Sequence, residues 1–164
     1  MKRFTASAIT QQLVRLSSVL FFMEFVRSAF VVSFLPAYAT DSGISVTAVG
    51  LAVSAHYMAD TLLKTAAGYW VDRLTPRLVL HICFAVAFAG LGTAFFGQQP
   101  WLIVVAAILI GIAVSPVWLI CLSSIREDAR ASQMGSIYTV WLLSLGMGPV
   151  ALNFVLDRGY SFSF

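Results

Sequence analysis

Charge is scarce in this sequence: only 10% of its 164 residues are charged, and it has just two histidines and two cysteines. Each scarcity removes a class of function. Cys83 and Cys121 both fall inside apolar stretches, so they make neither a disulfide-rich scaffold nor a cysteine metal site and read as inert packing groups. No His-Glu-x-x-His, no Gly-x-Ser-x-Gly and no paired Ser/His pattern occurs. The chain therefore reads as a non-enzyme, with no catalytic residues, no metal ligands and no organic cofactor. Its pI near 9.1 calls for no nucleic-acid partner, because the basic residues lie in short loops between apolar stretches, where they also suit anionic lipid headgroups.

What the sequence does have is hydrophobicity: 60% of residues are apolar and the mean hydropathy is +0.90. Hydrophobic stretches run through 13–37, 46–71, 78–96, 101–123 and 134–156. Each is near the ~20 residues needed to cross about 30 Å of hydrocarbon. The expectation is an all-α membrane protein, a polytopic bundle of five transmembrane helices with membrane lipids as its immediate partners. The first stretch is too long for a signal-peptide core, carries charge and lacks a small-residue cleavage pattern, so it is expected to remain in the mature protein. Lys2, Arg3, Arg73, Arg77, Arg126 and Arg130 fall on one side of the bundle, whereas the 38–45 and 97–100 loops contain no Lys or Arg. That asymmetry predicts a multi-pass cell-membrane protein with a cytoplasmic N-terminus. The tail from Asp157 to Phe164 reads as an outer-face loop interrupted before another span.

Against this background five ionisable residues stand out within the first two stretches: Glu24, Arg27, His56, Asp60 and Lys64. An acid or base at the centre of a membrane helix costs roughly 2.5–3.5 kcal/mol, so such groups face a bundle interior or a watery cavity. Glu24 and Asp60 both count to the middle of their helices. Spacings of three (Glu24, Arg27) and four (His56, Asp60, Lys64) put each set on one helix face. Two readings follow. In one, Glu24 with Arg27 and Asp60 with Lys64 are structural pairs; in the other, Arg27 holds an anionic or polyhydroxylated headgroup while Glu24 or Asp60 exchanges a proton. His56 either carries a proton or hydrogen-bonds to a neighbouring helix. Lys64 either enters the cavity or snorkels toward the headgroups.

The loop after the second stretch reads Gly68-Tyr69-Trp70-Val71-Asp72-Arg73-Leu74-Thr75-Pro76-Arg77 and resembles motif A of the major facilitator superfamily. That pattern has Gly, three residues, Asp, a basic residue, then commonly a glycine and further basic residues. Gly68, Asp72, Arg73 and Arg77 fit it; Thr75 and Pro76 depart. Gly68 suits close helix approach, and Arg73 suits a helix C-terminus. Asp72, at the negative end of its own helix, needs a cation or another helix's N-terminus. The resemblance implies a charge relay in which Arg77 meets Glu127 and Asp128. It also implies that residues 1–164 are an incomplete N-terminal transmembrane domain: five helices of a six-helix half, with the second half absent and supplied by further chain or a partner.

The fifth stretch, with Gly135, Ser144, Gly146, Gly148 and Pro149, partly resembles the antiporter motif of facilitator exporters; Gly148-Pro149 fits, while Ser144 and Leu152 replace glycines. In the fourth stretch, Ala107 stands where drug–proton exporters carry an arginine four residues before a glycine, here Gly111. Glu24-x-x-Arg27 with Asp60 resembles the glycolipid flippases that supply lipoteichoic-acid anchors in Gram-positive bacteria. The resemblance implies a bacterial plasma-membrane transporter that exports or flips a lipid-linked or other amphipathic substrate by alternating access, with a proton gradient as its driving force. The alternatives are efflux of drugs or other small molecules, and a non-transporting subunit or truncated remnant. Trp70, Trp118, Tyr138 and Trp141 can stack on a sugar headgroup, but interfacial anchoring suits Trp70 and core packing suits Trp118 and Trp141.

Overall fold

A computed structural model of the chain describes residues 6–96 and 99–157. Lys2 and Arg3, which contributed to the orientation, and the tail from Arg158 lie outside the described residues. All the regular elements among them are helical, and five helical rods are long and apolar enough to cross a membrane. The first rod is composite: α1 (Ala6–Ser28), a π-helical segment (Ala29–Phe34) and α2 (Leu35–Ser42). The others are α3 (Val46–Arg73), α4 (Pro76–Phe96), α5 (Pro100–Ser123) and α6 (Arg130–Leu156), with a 3₁₀ turn at Glu127–Ala129 before α6.

Local chemistry sets the boundaries. The π segment immediately precedes Pro36, whose missing N–H breaks the i→i−4 ladder, so the wide turns sit where regular bonding is already lost. The rod runs beyond the expected limit of residue 37 and stops at Gly43, whose φ of +65° only glycine adopts without strain. Ser45 caps α3 by accepting the Ala48 N–H at 3.3 Å. The two departures from motif A acquire a purpose here: Thr75 Oγ1 accepts the Leu78 N–H at 3.4 Å, and Pro76 is the first residue of α4. Together they start the next helix as a cap and an N1 proline do.

Packing centres on α5, which touches α1, α3 and α4, while α6 lies along α1 and the π segment. Two apolar clusters form. One joins Leu20 and Met23 of α1 to Cys83 of α4, Val117 and Cys121 of α5 and Ile137 of α6. The other joins Phe30 and Leu35 of the first rod to Ala52 of α3, Ala94 of α4 and Ile103 and Ile110 of α5. On α1 the residues between the clusters include buried Glu24 and Ser28; on α5 they include Gly111. A polar layer thus crosses the middle of the bundle.

Three close crossings hold that layer. A Cβ on Gly111 would stand 2.5 Å from the backbone oxygen of His56, one on Gly90 would stand 3.0 Å from Ile110, and one on Gly148 would fall 2.4 Å from the oxygen of Phe25. Backbone cannot yield as a flexible side chain does. Gly111→Ala is therefore expected to lower the stability of the detergent-solubilised protein by about 1–3 kcal/mol, the usual cost of overpacking. Gly50→Ala, where an added methyl meets nothing within 4 Å, should cost nothing. Thermal unfolding of the two variants side by side checks this; equal stability would remove the α3–α5 crossing as a constraint.

Candidate functional site

The polar layer contains two ion pairs built on buried carboxylates, each within one helix. Arg27 donates from Nε to Glu24 Oε2 at 2.6 Å, and its Nη2 lies 2.5 Å from the same oxygen. Lys64 Nζ donates to Asp60 Oδ2 at 2.7 Å. Glu24 is 4% exposed and Asp60 7%, whereas the Lys64 side chain is 43% exposed and reaches its carboxylate from the open side. Among the described residues no ion pair joins α1 to α3. The two pairs nevertheless lie within electrostatic reach of each other, because Glu24 feels the charges of both Asp60 and Lys64. The structure thus brings Glu24, Arg27, Asp60 and Lys64 into one neighbourhood with zero net charge.

His56 has a different setting. It is fully buried, with Nδ1 2.9 Å from the backbone oxygen of Ala107 on α5. A carbonyl only accepts, so Nδ1 carries the hydrogen and Nε2 is left as an acceptor. One turn further along, Ser115 Oγ donates to the backbone oxygen of Asp60 at 3.0 Å. Ala107, Gly111 and Ser115, four residues apart on α5, thus meet His56 and Asp60, four apart on α3. Sequence reasoning used Gly111 only as an alignment point and overlooked Ser115; a small-residue repeat of four along an apolar helix was the available signal.

Between the first rod and α6, Ser28 Oγ donates to the Ser144 backbone oxygen at 3.1 Å, and Ser33 Oγ, in the π segment, to that of Pro149 at 3.4 Å. Gly148 sits against Ser28 and Phe25 at the entry to the π segment. The Gly148-Pro149 pair therefore serves contact with the first rod, one turn from Arg27. Ser28 was not anticipated, since a lone serine in an apolar helix carries no distinctive spacing.

The loop residues behave differently from the relay expected of them. Asp128 is taken by Arg126, whose Nε lies 2.7 Å from Oδ1, and Arg77 forms no ion pair with Glu127 or Asp128. Two residues of separation along one loop bring Arg126 to Asp128 without any helix contact, so the local partner wins. The guanidinium of Arg73 lies 4.5 Å from the centre of the Tyr69 ring. Asp72 is exposed, and a Cβ on Gly68 would meet nothing within 4 Å, so Gly68 makes no close approach within the described residues.

Trp118, Tyr138 and Trp141 form one aromatic cluster, with ring centres 5.4–6.1 Å apart, and the two tryptophans pack on the apolar core. A groove of about 660 Å³ runs between α1 and α6, lined by Leu13, Phe21, Phe22, Ser136 and neighbours. Glu24 and Arg27 do not line it. Among the described residues no group of three or more His, Cys, Asp or Glu is placed to hold a metal ion.

Comparison with known proteins gives this geometry a family. The family model for the Major Facilitator Superfamily matches residues 16–162. The chain is similar to the proton-coupled antiporter flippase LtaA of Staphylococcus saprophyticus, 40% identical over 138 residues, which are 84% of this chain and 35% of that protein. It is also similar to the protein of the same description from Staphylococcus aureus strain USA300, 37% identical over 139 residues, again 84% of this chain and 35% of the relative. The chain spans about a third of the length of the curated relatives it matches. Four membrane-length helices, most of the first, the Gly68 to Arg77 loop and the Gly148-Pro149 crossing fall within the matched residues: the chain is a membrane protein belonging to the major facilitator superfamily.

Proposed function

We propose that this chain supplies five helices of the N-terminal half of a proton-coupled transporter that flips or exports a glycolipid or similar amphipathic substrate across the bacterial plasma membrane. The observation that carries the reading is the electrically neutral quartet of Glu24, Arg27, Asp60 and Lys64 near mid-helix, its two carboxylates buried and Lys64 reaching in from the open side. Its charges compensate one another, so protonation of one carboxylate is balanced by handing its cation to a substrate. Arg27 presents a planar fork of donors suited to an anionic or hydroxyl-rich headgroup. Asp60 is the proton carrier and Glu24 the acid that returns Arg27 to its resting pair. The relatives described as proton-coupled antiporter flippases support the coupling and the direction.

The remaining half, from further chain or a partner, completes the pathway, since alternating access rocks one half against the other. The basic loops at Arg73, Arg77, Arg126 and Arg130 support a cytoplasmic N-terminus. The Ala107 backbone oxygen is engaged by His56 and its side chain bears no charge, which disfavours a drug exporter relying on a cation there. Transport, rather than catalysis, is the activity this site supports.

In the complete protein reconstituted into liposomes, Asp60→Asn is expected to abolish flipping driven by a pH gradient; an unchanged rate removes Asp60 from the coupling. Arg27→Ala leaves Glu24 buried without its cation and should weaken headgroup binding by about 10–100-fold, the loss expected for charge-assisted hydrogen bonds worth about 1.5–3 kcal/mol. Titration with a fluorescent glycolipid measures it. Equal transport of glycolipid and unrelated cationic drugs would turn the assignment toward general efflux.

A further inference from the structure

Two buried acceptors one helical turn apart are left over. Among the described residues, His56 Nε2 and Asp60 Oδ1 are buried without a hydrogen-bond partner, and both residues are more than nine-tenths buried. The tautomer that satisfies Ala107 makes Nε2 an acceptor, and an ionised Asp60 only accepts. Two acceptors cannot satisfy each other, and leaving both unpaired in an apolar interior is costly. Neither side chain can turn away. His56 is held by Ala107 and by the Gly111 crossing, and Asp60 by Lys64 on its other oxygen. What satisfies both is a small donor with two O–H groups.

We infer that His56 Nε2 and Asp60 Oδ1 share one buried water molecule, through which His56 stabilises the protonated form of Asp60. The inference rests on the proposed role of Asp60 as proton carrier. With Asp60 ionised, the water donates one hydrogen to Oδ1 and the other to Nε2. A proton arriving from the aqueous side bonds to Oδ1, Lys64 leaves Oδ2, and the new O–H donates to the water, which still donates to Nε2. On release the proton departs to the opposite side and Lys64 pairs again. His56 is a positioning residue: it keeps its Nδ1 hydrogen throughout. The other charges acting on His56 are those of Arg27 and Lys64, and Glu24 sits beside Arg27. The facing residues of α5, Ala107, Gly111 and Ser115, do not titrate in this range.

Asparagine reproduces the Nδ1 donor but not Nε2, so His56→Asn separates packing from proton handling in the complete transporter. It should keep the melting temperature, yet move the half-maximal pH of gradient-driven flipping by a few tenths of a unit toward acid, because a water that no longer donates to Nε2 accepts the Asp60 O–H more weakly. His56→Gln, which offers an acceptor near the Nε2 position, should recover part of the shift. The 15N spectrum of His56 in substrate-free protein should show Nδ1 protonated and Nε2 unprotonated but hydrogen-bonded. An unshifted pH profile, a protonated Nε2, or an Nε2 that becomes hydrogen-bonded only when glycolipid is added overturns the inference, the last by assigning the donor to the substrate. Should the parent protein flip nothing under a pH gradient, the proposed function fails, while the 15N spectrum still decides the water.

Discussion

The structure depends on one constraint: a polar layer inside an apolar bundle has no bulk water to satisfy it and must find partners where it lies. Here backbone supplies several of them. His56 donates to the Ala107 carbonyl, Ser115 to the Asp60 carbonyl and Ser28 to the Ser144 carbonyl, and each bond forms beside a crossing where glycine lets two helices approach. Lipid chains are as apolar as leucine, so helix association in the membrane draws on such close packing and polar bonds more than on hydrophobic burial. Removing Gly111 or Gly148 would separate not only two helices but also the donors and acceptors that keep the layer satisfied.

The same constraint explains why the charges pair within their own helices. An ion pair between α1 and α3 would tie their relative position to one protonation state. Pairs at i,i+3 and i,i+4 keep each helix neutral by itself, so the helices can shift while their charges stay compensated. The cost of burying the ions falls because each has its counterion within hydrogen-bonding distance. The asymmetry between the pairs matters as well. Arg27 is enclosed with Glu24, whereas Lys64 reaches Asp60 along a half-exposed stem, so the second pair opens with less rearrangement.

Much of this was legible in the sequence, and the reasons differ by residue. Hydrophobic length gave the five membrane-length helices because nothing else in the chain competes with that signal, but not their ends: polar residues such as Gln11 and Gln12 extend the first rod back to Ala6 without adding apolar signal. The depth of Glu24 and Asp60 followed from counting, and the intrahelical pairs from spacing. Thr75 and Pro76, read as departures from motif A, are legible only when the next helix is considered, since their work is to start α4. The π segment was hidden because Pro36 signals a broken ladder but not the direction in which the backbone relaxes. The Arg126–Asp128 pair was not foreseen because two residues along one loop give Asp128 a nearer cation than Arg77 on another helix.

The outward faces close the argument about what this bundle is for. In their most apolar windows α5 is 61% buried, but α3 and α6 only 17% and 11%, although both carry glycines, Gly68, Gly135 and Gly146, beside which an added methyl meets nothing. Glycine in a helix interior costs roughly 1 kcal/mol relative to alanine, a cost that close approach justifies at Gly111 and Gly148 and that nothing within the described residues justifies at these three. Their helices also carry the ends of the charged layer, with Lys64 and Asp72 on α3 facing outward. A surface that combines small residues with the exposed charges of Lys64 and Asp72 suits the further helices proposed above better than lipid. In the proposed transporter the polar layer is then one wall, bonded inward to α5 and open toward the half that completes the pathway.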